Sequence, residues 1–309
     1  MSLSEALSAK AVPVSVEPAE TSYFSNPQAG LDPRLFRNNQ LIGNVRDGIL
    51  RVLFEHLRNN YYNPEAYIYA WLAGSGVSYQ WAANRTPADL DCLVGIDYIR
   101  FRQSNPKFSG LSDREIADMF NDDFRNELHP ITENYLGSFE LTFYVNVQSD
   151  IRNIKPYAAY SLTDNDWTVE PHNLVVTVGR DWERKVSRDE TMAVEILSRY
   201  AAALGNIGTA TSASARINAE ATLKLAIEQG AALFEDIHHG RKAAFSTGGQ
   251  GYLDYSNYRW QAGKSTGVVQ ALKQLKDLSK KTRQEFESQT YGMELPDANV
   301  LIRRAITSK

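Results

Sequence analysis

The chain has little of what several protein classes require. It contains one cysteine in 309 residues, which excludes an internal disulfide framework and any cysteine-rich zinc module. Residues 1–20 lack a basic head and an apolar block, and the longest uncharged runs are interrupted by polar residues. Neither a signal peptide nor a membrane span is therefore predicted. A single thiol fits a reducing compartment, and we expect a cytoplasmic protein without a membrane partner.

A strong excess of one charge is also absent. The 33 Lys and Arg residues against 37 Asp and Glu residues give a net charge of −4, which is no whole-chain signature of nucleic-acid binding. The charge is unevenly divided, however. Residues 1–180 carry 15 basic and 22 acidic side chains (−7), whereas residues 181–309 carry 18 and 15 (+3). The segment 241–283 alone has nine basic and two acidic residues, and this asymmetry predicts two parts with different roles.

The pattern of apolar residues predicts mixed α/β structure in the first part of the chain. Helical spacing predicts a helix over 41–59, and a capping box at Ser112–Glu115 opens another. Continuous or alternating apolar residues predict strands over 66–73, 88–96 and 139–147, with a further strand-like piece over 173–178. The expected fold class is α+β: a mixed β-sheet with flanking helices, followed by a helical domain.

The second part of the chain is predicted to be helical. A second capping box, Ser187–Glu190, is expected to open a helix that ends near 204, and helical patterns recur over 215–237 and 264–287. Residues 1–30 are rich in Ser, Ala, Pro and Glu without periodicity, which indicates a flexible N-terminal arm. We therefore expect the arm at 1–30, an α/β domain at 31–180 and a helical domain at 181–309.

Three acidic residues of the α/β domain point to a metal site. Asp89 and Asp91 are two positions apart on a predicted strand, so their side chains project from the same face. Glu140 lies on the polar face of the third predicted strand. If those strands are neighbours, three carboxylates converge, repel one another and need a cation. Oxygen ligands with no nearby His or Cys favour Mg²⁺ or Mn²⁺ over zinc.

A small-residue turn precedes these acids. Gly74-Ser75-Gly76 follows the first predicted strand, and such residues at a strand end let backbone N–H groups approach a phosphate. The Ser75 hydroxyl can add another donor. A phosphate-binding turn beside carboxylate-bound metal ions is suited to nucleotidyl transfer, in which one ion activates the attacking hydroxyl and the other neutralises the triphosphate.

This arrangement resembles the DNA polymerase β-like nucleotidyltransferase superfamily. The resemblance covers about 40–150 and consists of Gly74-Ser75, thirteen intervening residues, Asp89-Leu90-Asp91 and a later strand with Glu140. It implies a nucleotidyltransferase-type sheet, and transfer of a nucleoside monophosphate from a nucleoside triphosphate to an acceptor with release of pyrophosphate. The third acid is Glu where the family often has Asp, and a long acidic insertion at about 98–136 separates the second and third strands.

The resemblance also implies roles for individual residues. Gly74 and Ser75 would hold the triphosphate, and Asp89 and Asp91 would bind both metal ions. Glu140 would bind the catalytic ion and help to deprotonate the acceptor hydroxyl. The family's helical part commonly contributes a basic residue to the triphosphate, for which Lys264 is the candidate.

Arg241 and Lys242 allow two interpretations. They end a helical pattern after Gly240, where Gly could cap the helix while the two cations face the negative end of its dipole. Alternatively, they bind phosphate or acceptor. The basic run from Lys273 to Arg283 is likewise either a solvated helix face or a surface for nucleic acid.

The sequence thus predicts a Mg²⁺-dependent nucleotidyltransferase whose partner is a nucleoside triphosphate. The basic segment favours an RNA 3′ end or a nucleotide as acceptor over a small molecule or a protein, whereas the acidic insertion argues the other way. The alternative is a non-catalytic nucleotide- or nucleic-acid-binding protein that retains the fold. A third hypothesis is a structural protein in which the three acids are accidental.

Overall fold

The structure, a computed structural model, describes residues 2–18, 27–83, 86–147, 151–173 and 177–291. Helices in these ranges are α1 (Leu3–Lys10), α2 (Gly43–Asn60), α3 (Tyr98–Ser104), α4 (Asp113–Asp123), α5 (His129–Thr132), α6 (Arg180–Thr209), α7 (Ala213–Ala244), α8 (Tyr255–Ser265) and α9 (Val268–Tyr291). The strands are β1 (Phe36–Arg37), β2 (Gln40–Leu41), β3 (Ile68–Ala73), β4 (Ala88–Ile96), β5 (Phe139–Val145), β6 (Ala159–Ser161) and β7 (Asp166–Val169).

The described residues form two compact units. The α/β unit comprises 27–173 and 245–252, and the helical unit comprises 2–18, 177–244 and 253–291. The expected division near 180 lies close to the first passage between them. Two segments depart from the expectation, because the first residues of the chain belong to the helical unit and the chain returns to the α/β unit at 245–252.

A five-stranded mixed sheet forms the centre of the α/β unit. Its strand order is β5-β4-β3-β6-β7, in which β4 and β5 are parallel and the other neighbours are antiparallel. The strand predicted over 88–96 is confirmed as β4, and β3 and β5 fall within their predicted ranges. The short strands β6 and β7 were not predicted. Of the strand predicted over 173–178, residues 174–176 lie outside the described residues, and 173, 177 and 178 are not in a strand.

The main core of the α/β unit lies on one face of this sheet. Alternate residues of β4 and β5, such as Leu90 and Phe143, pack against apolar residues of α2 and α4, such as Leu53 and Phe120. On the opposite face a smaller apolar cluster surrounds Trp71. Because side chains alternate along a strand, residues 89 and 91 of β4 and 140 and 142 of β5 occupy this second face.

The insertion at 98–136 folds against β5, the edge strand of the sheet. The side-chain amide of Asn121 donates to the Val145 carbonyl (3.0 Å) and accepts from the Val145 N–H (2.7 Å). The Thr132 hydroxyl donates to the Leu141 carbonyl at 2.7 Å. Groups of the insertion therefore occupy positions that a further strand would take.

The segment 245–252 packs against the residues before β6. The Lys155 N–H donates to the Phe245 carbonyl at 3.0 Å, and its ammonium donates to the Gly249 carbonyl at 2.6 Å. Gly251 has a φ of +64°, and a Cβ there would lie 2.9 Å from the Lys155 carbonyl oxygen. This close approach explains why a segment between two helices of the helical unit belongs to the α/β unit.

The helical unit includes α1, where the sequence predicted a flexible arm. Ser2 and Glu5 form a capping box, and Leu7 is buried with residues of α6, α7 and α9. The Tyr200 hydroxyl donates to the Val12 carbonyl at 2.6 Å. The expectation of an arm is thus wrong for residues 3–12, because an eight-residue helix depends on tertiary packing that local composition does not report.

Helix α6 begins seven residues before the predicted capping box at Ser187–Glu190. It opens after Gly179 and places Asp181 and Glu183 in its first turn, where acids are favoured by the helix dipole. Ser187 lies inside the helix, and Asp189 instead accepts two hydrogen bonds from the Arg259 guanidinium (2.6 and 2.9 Å). The capping-box prediction is therefore wrong.

Within the described ranges, no helix combines the length and apolarity needed to cross a membrane.

Candidate functional site

The three predicted acids lie at one end and on one face of the sheet. Strands β4 and β5 are parallel neighbours in which Asp89 is paired with Glu140, and Asp91 is paired with Thr142. On the other side, Asp91 is paired with Ala73, the last residue of β3. The starts of the parallel strands β4 and β5 and the end of β3, which is antiparallel to β4, thus meet here. This register brings the two aspartates and the glutamate onto adjacent strands.

Asp91 is more enclosed than Asp89. Its side chain is half-buried, whereas Asp89 is exposed. The Thr142 hydroxyl donates a hydrogen bond to Asp91 Oδ1 at 3.0 Å, which fixes the orientation of this carboxylate. On the opposite face Cys92 is fully buried, and burial together with the negative charge of Asp91 raises the pKa of its thiol. Cys92 therefore belongs to the core.

The turn after β3 approaches both aspartates. Gly74 has a φ of +91°, which favours glycine, and a Cβ on it would lie 3.3 Å from Asp91 Oδ2. A Cβ on Gly76 would lie 2.8 Å from the Asp89 carbonyl oxygen. Ser75 is half-buried and begins one turn of 3₁₀ helix that runs to Val77. The Gly74–Gly76 turn therefore lies beside the acids, and this approach depends on the absence of side chains.

His129 lies beside Glu140 and was not predicted as a site residue. Its Nε2 is 3.2 Å from Glu140 Oε1, and the Glu140 side chain is 37% exposed. The two residues are eleven positions apart, on α5 and β5. Their contact depends on how the insertion packs against the edge of the sheet, for which the sequence carries no local signal.

The three predicted phosphate-binding cations belong to the helical unit. Lys264 is half-buried in the last turn of α8. Arg241 and Lys242 lie in the last turn of α7, which runs on to Ala244, so Gly240 is inside the helix and the predicted glycine cap is wrong. The Arg241 guanidinium lies 4.9 Å from the centre of the Trp260 ring. Lys242 is exposed.

The acids match Mg²⁺ or Mn²⁺ in chemistry but do not converge as placed. Asp89, Asp91 and Glu140 offer only oxygen ligands, which these ions prefer. In the described part of the chain, no three or more His, Cys, Asp or Glu side chains are arranged to hold a metal ion. Because neighbouring strands are about 4.8 Å apart, rotation of the exposed Asp89 side chain alone can bring its carboxylate towards that of Glu140. The donor set and the strand register therefore fit the ions.

Comparison of the chain with protein-family models, with curated proteins and with solved structures found no match. A function must consequently be inferred from the residues and geometry of this site.

Proposed function

We propose that the protein is a nucleotidyltransferase that uses Mg²⁺ or Mn²⁺. It would move a nucleoside monophosphate from a nucleoside triphosphate to an acceptor hydroxyl and release pyrophosphate. The observation that carries this proposal is the pairing of Asp89 with Glu140 on parallel strands, with Asp91 next on the same face. The glycine turn beside Asp91 supports it, as does the mixed sheet with flanking helices, which is compatible with a nucleotidyltransferase-type fold.

Each residue has a distinct role in this proposal. Gly74 and Ser75 bind the triphosphate through the backbone and hydroxyl of their turn. Asp89, Asp91 and Glu140 would hold the metal ions, and Thr142 keeps the Asp91 carboxylate oriented. When bound, the ions neutralise charge on the triphosphate and lower the pKa of the acceptor hydroxyl.

The reaction forms one bond and breaks another. The acceptor oxygen attacks the α-phosphorus, and the bond from that phosphorus to the bridging oxygen of the β-phosphate breaks, so pyrophosphate leaves. Glu140 receives the proton of the acceptor hydroxyl on its carboxylate. Glu140 lies near the start of β5, and its side chain is longer than that of an aspartate. This length would let its carboxylate reach the acceptor.

The sequence also makes Lys264, Arg241 and Lys242 of the helical unit candidates for binding phosphate. The segment 241–283, with nine basic and two acidic residues, favours an anionic acceptor, either an RNA 3′ end or a nucleotide, over a small molecule or a protein.

The substitution Asp91→Asn tests the proposal. It preserves the side-chain shape but removes the charge that would hold a cation, so we expect pyrophosphate release to fall about 100-fold or more. The measurement is pyrophosphate formation from each nucleoside triphosphate with Mg²⁺ and a panel of acceptors. Asp97→Asn is the matched control, since Asp97 caps α3 at the other end of β4 and Asn caps a helix equally well. Retained turnover in the Asp91 variant would refute the assignment.

A non-catalytic nucleotide- or nucleic-acid-binding protein is the second candidate. It is favoured by one observation, the lack of convergence of the three carboxylates in the described residues. Consumption of triphosphate that depends on metal, measured without acceptor and with total RNA, separates the two. Binding of triphosphate or RNA without any turnover would support the second candidate.

A further inference from the structure

We infer that His129 is a positioning residue for Glu140, which fixes the carboxylate that the proposed reaction needs. The inference rests on the proposed function, because it concerns the third acid of that site. Its geometric basis is the 3.2 Å separation between His129 Nε2 and Glu140 Oε1. An ionised carboxylate has no hydrogen to donate, so His129 must donate through Nε2–H.

Helix α5 is fixed to the strand that carries Glu140. Thr132, the last residue of α5, donates its hydroxyl to the carbonyl of Leu141, the residue directly after Glu140. The Tyr135 N–H donates to the carbonyl of Phe139, the residue directly before it, at 2.7 Å. The backbone on both sides of Glu140 is therefore bonded to the segment that presents His129.

A wide helical turn orients His129 within this segment. Residues Phe124–Leu128 form a π-helical turn, in which the His129 N–H donates to the Phe124 carbonyl. Pro130 follows and has no N–H to continue the ordinary helical pattern. A π turn shifts the following side chains around the helix axis relative to an α-helix. The turn thereby places His129 at the edge of β5.

The surroundings of His129 leave Glu140 as its hydrogen-bond acceptor. The other ring nitrogen, Nδ1, is 3.7 Å from Glu133 Oε1, which is beyond a hydrogen bond, and Glu133 is 63% exposed. The His129 ring is 27% exposed. A partly enclosed imidazole that donates to one oxygen of Glu140 leaves the second oxygen available to a cation or to an acceptor hydroxyl.

This hydrogen bond matters because the Glu140 side chain is partly exposed and has three rotatable bonds. Without a partner its carboxylate would sample many orientations, and binding would have to select one of them. Partners that orient a ligating carboxylate typically change metal affinity or activity by about 10–100-fold. His129 thus restricts the orientation of the Glu140 carboxylate, whose flexibility would otherwise lower the affinity of the site for metal.

The test compares His129→Ala with His129→Gln in the full-length protein. Gln retains an N–H donor near the position of Nε2, whereas Ala removes it. We expect His129→Ala to weaken Mn²⁺ binding, measured by electron paramagnetic resonance with the metal alone, by about tenfold. The kcat of His129→Ala should fall similarly while its KM for the triphosphate stays unchanged. His129→Gln should restore most of the Mn²⁺ affinity and most of the kcat. Glu133→Gln is the matched control and should change neither.

The same variants in a Glu140→Gln background show whether His129 acts through Glu140. A positioning role requires that His129→Ala has no further effect once the Glu140 carboxylate is absent. An equal loss in both backgrounds, or wild-type Mn²⁺ affinity and kcat in His129→Ala, would overturn the inference. Failure of the proposed function is distinguishable, because Asp91→Asn would then leave Mn²⁺ binding unchanged and no triphosphate would be consumed by the wild-type protein.

Discussion

The close approach of Gly76 to β4 yields a test that is independent of any activity. A Cβ at this position would lie 2.8 Å from the Asp89 carbonyl oxygen, whereas relaxed contacts between carbon and oxygen are about 3.3–3.6 Å. The obstructing atom is a backbone oxygen near the start of β4, so it cannot move aside as the end of a flexible side chain can. We therefore expect Gly76→Ala to lower the free energy of unfolding by about 1–3 kcal/mol, the usual effect of overpacking.

The assay is urea unfolding followed by tryptophan fluorescence, with Gly110→Ala as the matched control. Gly110 is an exposed turn residue without a positive φ, and a Cβ added to it would meet no heavy atom within 4 Å. Its substitution should change the unfolding free energy by less than about 0.5 kcal/mol. If Gly76→Ala is as stable as Gly110→Ala, the turn does not approach β4 as described, and the placement of the turn beside the acids is wrong.

Two further predictions concern buried titrating groups. The fully buried Cys92 should resist a thiol-specific chromogenic reagent at pH 8 in the native protein and react in 6 M guanidinium, about the range that unfolds most domains; fast native labelling would contradict its burial. Burial raises the pKa of Tyr67 to about 12, so stability should fall as pH rises from 10 towards 12, where the denatured-state phenol ionises and the native one does not. Urea midpoints at pH 9 and 11 should therefore differ more for the wild type than for Tyr67→Phe, and equal differences would exclude this contribution.

Elements with strong local signals were predicted well from the sequence. Strand β4 has its predicted bounds, because its largely apolar residues begin after Pro87 and end before Asp97, the cap of α3. The capping box at Ser112 and Glu115 is present, since it needs only residues three positions apart. The spacing of Asp89 and Asp91 likewise fixes their common face without reference to the rest of the fold.

Features that depend on distant residues were missed. Strands β6 and β7 have three and four residues, too few for a clear alternation, and form because β6 pairs with β3 and β7 pairs with β6. Ser187 has the local form of a helix cap, but the Asp189 side chain of that motif pairs with Arg259, seventy residues further along. The contact of His129 with Glu140 has the same character, because it requires α5 to lie along β5.

The insertion between β4 and β5 has a consequence for association between copies of the folded chain. Strand β5 carries Glu140 and is the edge of the sheet, so its outer N–H and C=O groups would otherwise be a template for strands of other molecules. Asn121 satisfies one such pair by imitating a peptide group, and Thr132 satisfies another carbonyl. The insertion thus keeps this edge from pairing with other chains, and a chain shortened by its removal would be expected to associate through β5 before its chemistry could be assayed.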